Sequence, residues 1–194
     1  MKMSTLERGF KSWAERTSLA FRKELGVPIE DPIRPEVVAD YLDIELWTPN
    51  RVPGITRDML DQLLTIDPWG WSAAGIEVND RGIVIYNPRH SRARQMSDIT
   101  HELALFILDH QPAQIVLSAD LDGVSMRSFN EKQEDEANCV AWALLLPREG
   151  LLRAKRRRLS IEQIAEQYSV TKALATYRLN ATGVEKQVRA RRSH

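Results

Sequence analysis

Asp98-Ile99-Thr100-His101-Glu102-Leu103-Ala104-Leu105-Phe106 is the stretch whose reading decides the fold. It reads as H-E-x-x-H with leucine, not histidine, at position 105. In the intact pattern two histidines four residues apart share a helix face and bind one Zn²⁺. The glutamate then acts as general base on the metal-bound water. Here the first ligand position, His101, and the base position, Glu102, are filled, and the second ligand position, Leu105, holds a hydrocarbon.

Around this stretch the spacing predicts one long helix over 91–109, with Met96, Ile99, Leu103 and Phe106 or Ile107 as its core stripe and Pro112 marking the exit. His101 and Leu105 fall on an adjacent face with Asp98 and Leu108. A second long helix is expected over 130–146, closed by Pro147. It places Glu134 and Asn138 at i and i+4, a carboxylate suited to a third metal ligand and an amide suited to buttressing a ligating histidine. The same acidic start also suits a solvated first turn favoured by the helix dipole. Glu136 lies about 200° round the helix from Glu134 and faces elsewhere.

Upstream, helices are expected over 6–25 and 35–42, a short strand over 44–47, a loop over 49–54, and a helix capped by Thr56 to about 64. Two strands, 71–78 and 82–86, flank Asn79-Asp80-Arg81-Gly82, whose residues tolerate the positive φ of a hairpin. Tyr86 would end an edge strand, and Trp69-Gly70-Trp71 either closes the sheet edge or forms an exposed aromatic patch. Downstream of the first motif helix, 113–126 reads as loop with a short strand at 115–117.

After Pro147 a short basic helix over 149–158 is expected, then a helix, tight turn and helix over 160–179 with Ser160 and Thr171 as N-caps. In its second helix Lys172, Thr176 and Arg178 would form a modest recognition surface, and Leu174, Tyr177 and Leu179 would be core. Beyond Gly183 the chain is polar and basic and reads as frayed.

Net charge is zero, yet residues 150–194 carry 11 basic and 3 acidic side chains, so this segment is near +8 and the rest near −8. That asymmetry suits an anionic partner or docking of the tail on the acidic body. Arg153, Lys155, Arg156, Arg157 and Arg158 are the candidate nucleic-acid contacts, against the alternative of a solvated helix face. No apolar run is long enough to cross a membrane, no signal peptide is read at 1–16, and the single cysteine, Cys139, suits a small core residue in a reducing cytoplasm.

These features together resemble the ImmA/IrrE family of metallopeptidases. The resemblance rests on Ile83-Val84-Ile85-Tyr86-Asn87-Pro88 and Ser97-Asp98-Ile99-Thr100-His101-Glu102-Leu103-Ala104. Its most specific piece is Glu134-Asp135-Glu136-Ala137-Asn138-Cys139-Val140-Ala141-Trp142-Ala143-Leu144-Leu145-Leu146-Pro147. Its third part is the tail from Ile164-Ala165 to Asn180-Ala181-Thr182-Gly183-Val184, so that it spans roughly residues 25–184.

The resemblance implies an α+β fold: a minimal zincin-like domain over 1–150 with a small antiparallel sheet, and a basic helix-turn-helix-like unit over 151–194. It implies zinc as cofactor, His101 and Glu134 as metal ligands, Glu102 as catalytic base, and Asn138 supporting the histidine from behind. It implies a partner that is a DNA-binding repressor of phage or mobile-element type, cleaved or induced to be cleaved. Leu105 sets against this an impaired zinc site. The rival readings are a non-catalytic protein binding a regulatory protein in the same cleft, and a DNA-binding regulator acting through its basic C-terminal helices.

Substitute ligands are scarce. His110 lies nine residues after His101, about 180° round the helix. His90 falls near the same face but some 16 Å away along a straight helix. Asp98 is on the correct face, where an oxygen ligand would compete with solvation, and His194 is in the tail.

Overall fold

The computed structural model describes residues 6–79, 81–110 and 130–190. Among these residues α1 (Phe10–Glu24), α2 (Pro35–Tyr41), β1 (Ile44–Trp47), α3 (Arg57–Asp61), β2 (Ala73–Val78) and β3 (Arg81–Tyr86) form the N-terminal half. Then follow α4 (Arg92–Ile107), α5 (Glu131–Leu145), α6 (Arg148–Arg156), α7 (Ile161–Gln167), α8 (Lys172–Thr182) and α9 (Val184–Ala190). A 3-10 turn at Pro49–Arg51 interrupts the expected loop, and α3 runs on into a π-helical turn at Gln62–Ile66. The fold is α+β, and no helix of the described residues is long and apolar enough to cross a membrane.

The sheet is mixed, which corrects the expected antiparallel one. β2 pairs antiparallel with β3, Gly75 opposite Val84, while β1 pairs parallel with β3, Leu46 opposite Val84. The hairpin folds the chain back through Asn79, whose φ is 51°, so β3 lands between β2 and β1 and runs in the direction of β1. A parallel neighbour needs a long crossover, supplied here by the chain from the 3-10 turn through α3 to β2. β3 is therefore the central strand, and Tyr86 ends that strand, not an edge.

α4 packs across the sheet and against α5, and α1 covers α5 from the other side. Met96, Ile99, Leu103, Val140, Ala141 and Leu144 fill the space between, all at most 2% exposed. Close approach of α4 to the sheet depends on two glycines. A Cβ on Gly75 would lie 3.0 Å from Phe106 Cε2, and one on Gly82 would lie 3.1 Å from Phe106 Cε1, so the ring occupies the room these side chains leave free.

The end of α5 is buried, and its last carbonyls have no partner within the helix. Side chains from distant elements supply the donors. Ser18 Oγ donates to Ala143 O at 2.7 Å, Arg22 Nη2 to Leu144 O at 3.0 Å, and Arg178 to Leu146 O through Nε at 3.0 Å and Nη2 at 2.8 Å. These bonds fix α5 against α1 and α8, and so fix Glu134 and Asn138 at its other end.

Two expectations for the C-terminal helices are corrected here. Arg178 is not on a recognition surface; it is 5% exposed and pairs with Glu15 Oε1 at 2.6 Å as well as with Leu146 O, because that orphan carbonyl draws the guanidinium inward. Tyr177 is 49% exposed rather than core, its ring set edge-on against Trp142. Leu174 and Leu179 are buried as expected. The run after Gly183 is also not frayed. Gly183 ends α8 at φ 67°, and α9 follows, seated on α6 by buried Val184 and half-buried Val188. Those two valines, four residues apart, are an apolar stripe that the polar composition hides. The strand expected at 115–117 lies outside the described residues.

Candidate metal centre

α4 starts under a Ser91 cap, whose side chain accepts from Arg94 N, and carries His101 to the face opposite the start of α5. α5 starts under Asn130, which accepts from Lys132 N and Gln133 N. His101 Nε2 lies 3.1 Å from Glu134 Oε2, and His101 Nδ1 lies 3.1 Å from Asn138 Oδ1. The one-turn spacing on α5 thus grips the imidazole at both nitrogens. The ring meets both partners either as imidazolium, or as the neutral tautomer with Nε2–H donated to Glu134 and the Asn138 amide turned to donate to Nδ1.

Glu102, one residue on, is bonded to the sheet. It is 5% exposed and its Oε2 accepts the backbone N–H of Gly75 at 2.8 Å. Leu105 is 7% exposed and belongs to the hydrophobic core.

The donor set can be tested against zinc. Nitrogen and oxygen ligands at about 2.0–2.1 Å on a tetrahedral ion stand roughly 3.3 Å apart, so the His101–Glu134 separation is close to ligand spacing. The Asn138 oxygen behind the imidazole can accept Nδ1–H, the kind of outer support that orients a ligating histidine. A catalytic zinc takes three protein ligands, however, and Leu105 offers no lone pair. Among the described residues no group of three or more His, Cys, Asp or Glu is placed to hold a metal. Among the described residues His101 and Glu134 thus supply two of the three protein ligands a catalytic zinc takes.

The substitutes weighed in the sequence are committed elsewhere. His90 Nδ1 lies 3.0 Å from Asp98 Oδ2, which also faces Arg94 Nε at 3.6 Å, and Trp69 stacks on the His90 ring at 5.4 Å. Asp98 is thus turned from the site. His110 Nε2 lies 2.9 Å from Glu136 Oε2, which makes a second histidine–carboxylate clasp between α4 and α5. His194 lies outside the described residues.

Residues 66–180 match the family model of the IrrE N-terminal-like domain, Peptidase_M78. The chain belongs to this family. Its members are zincin-like metallopeptidases, and the match runs through both motif helices, the hairpin, α6, α7 and nearly all of α8. No curated protein and no solved structure matches the chain.

The basic candidates lie apart from this site, on and just after α6. Arg153 pairs with Glu30 at 2.8 Å and Glu149 at 3.2 Å, and Lys155 lies 3.7 Å from Glu185. Arg156, Arg157 and Arg158 are exposed. Of the aromatic pair, Trp69 is 64% exposed while Trp71 is half-buried and donates from Nε1 to Leu63 O at 2.9 Å. Sequence reasoning missed Gly75, the partner of Glu102. A glycine inside a strand pattern signals a close approach of another group, and it was the available clue.

Proposed function

We propose that this chain is a non-catalytic member of its peptidase family that holds a protein partner, a DNA-binding repressor, without cleaving it. The observation that carries the reading is the buried Leu105 beside a His101 whose two nitrogens already meet Glu134 and Asn138. Zinc seated between His101 Nε2 and Glu134 Oε2 would find two protein ligands instead of three. Zinc affinity falls steeply with a lost ligand, and a metal-bound water is what the peptidase chemistry requires.

The partner class rests on the family resemblance, not on the site. The test is to mix the chain with the repressor encoded beside its gene, once with chelator and once with added zinc. A stable complex with intact repressor under both conditions is expected. Cleavage that needs zinc would overturn the reading.

A second reading, an enzyme disabled at one position, draws support from the near-ligand spacing of His101 and Glu134 and the amide behind the ring. Leu105→His separates the two. Restored cleavage of the bound repressor supports the disabled enzyme, and zinc binding with no cleavage supports the binding protein.

A further inference from the structure

A cavity of about 390 Å³ lies on the side of α5 away from the sheet, between α1, α5, α6 and α8. Its size is that of a site for a small organic molecule. Its wall is apolar and aromatic where Cys139, Trp142 and Tyr177 meet, with the two rings edge-to-face at 4.6 Å. Burial pushes the Cys139 thiol above its ordinary range, so that wall carries no thiolate charge at neutral pH.

The charges at the mouth are unequal. Glu15 faces the cavity, but both its oxygens are used: Oε1 pairs with Arg178 and Oε2 accepts Arg148 N at 2.8 Å. Among the described residues the Arg148 guanidinium meets neutral acceptors, Thr182 O at 3.4 Å and Gln187 Oε1 at 2.7 Å. Lys11, exposed on α1, has no ion-pair partner among the described residues. The lining thus carries three cations, Lys11, Arg148 and Arg178, against two acids, Glu15 and Asp135, and neither Lys11 nor the Arg148 guanidinium pairs with a carboxylate among the described residues.

From this geometry we infer that the cavity binds a small organic anion with a flat apolar body, its acid group between Lys11 and Arg148 and its ring against Trp142 and Tyr177. Asn138 also lines the cavity, and its amide is the group that holds His101. The ligand therefore sits one side chain from the candidate metal centre and contacts α5 where that centre is built.

The inference is independent of the partner proposed above and is tested without it. The probe is 8-anilinonaphthalene-1-sulfonate, an aromatic sulfonate, titrated into the full chain by calorimetry. Saturable binding of one probe per chain is expected, with Lys11→Glu weakening it about tenfold, the scale of one charge-assisted contact. Lys23→Glu, the same charge change elsewhere on α1, should leave it unaltered. Cys139 is the only cysteine of the chain, so N-ethylmaleimide reports on the cavity wall, and saturating probe should slow its modification. No saturable binding overturns the inference. Equal effects of the two lysine variants, or binding that leaves a reactive Cys139 unprotected, overturns it too.

Discussion

Glu102 Oε2 accepts the backbone N–H of Gly75 at 2.8 Å, so the carboxylate at the catalytic-base position of the motif ties α4 to the outer strand of the sheet. The bond is buried, and its loss would leave a strand N–H without a partner. Glu102→Gln keeps an acceptor and should change unfolding free energy by less than about 1 kcal/mol, whereas Glu102→Ala should cost about 1–3 kcal/mol. Urea unfolding measures both. Equal stability of the two variants would show that Glu102 has no structural part.

Gly75 and Gly82, on the two strands of the hairpin, leave room for the Phe106 ring on one face of the sheet. Gly75→Ala sets a Cβ 3.0 Å from Phe106 Cε2 and 3.2 Å from Glu102 Oε2, and overpacking of this kind costs about 1–3 kcal/mol. Shortening the ring in Gly75→Ala with Phe106→Leu should recover part of that loss relative to the sum of the single changes. A double-mutant cycle with no coupling would contradict the close packing.

Most of the helices and strands were legible in residue spacing. Glu134 and Asn138 share one face of α5 because a four-residue step is one helical turn, a local rule; that this face meets His101, 37 residues from Asn138, is long-range packing to which the family resemblance pointed. The order of strands was not legible, since nothing in 44–47 reveals that its neighbour is β3 and not β2; pairing is a long-range choice. Arg178 was misplaced for the same reason. Its partners, Glu15 and the Leu146 carbonyl, are 163 and 32 residues away. The helix after Gly183 was hidden by composition, although Val184 and Val188 carried the period.

Tyr168 is fully buried, and its hydroxyl donates to Ile29 O at 2.8 Å, next to Gly150, where no Cβ could fit. Burial pushes its pKa up to about 12 from 10.0. The folded state thus holds the phenol proton more tightly than the unfolded one. The stability from this group is fully present below pH 10 and is lost as pH rises from about 10 to about 12, by about 2–3 kcal/mol in total. Unfolding followed across that window should show the loss, and Tyr168→Phe should remove that part of the pH dependence. An unchanged profile in the variant would contradict the assignment.

Arg178 carries the heaviest polar load of the C-terminal helices. Arg178→Met strands Glu15 and Leu146 O in a largely buried setting and should destabilise by about 3–5 kcal/mol, the scale for breaking a buried charge pair. Thermal unfolding reads it. A loss under about 1 kcal/mol would place the guanidinium in solvent.

The central claim is that leucine at position 105 deprives the site of zinc. Its most direct test is the zinc content of purified wild-type chain and of Leu105→His after dialysis against metal-free buffer, by elemental mass spectrometry, with circular dichroism to confirm that both are folded. The account predicts no more than about a tenth of a zinc per wild-type chain and close to one per Leu105→His chain, because the third ligand completes the set. Near-stoichiometric zinc in the wild-type chain would contradict it.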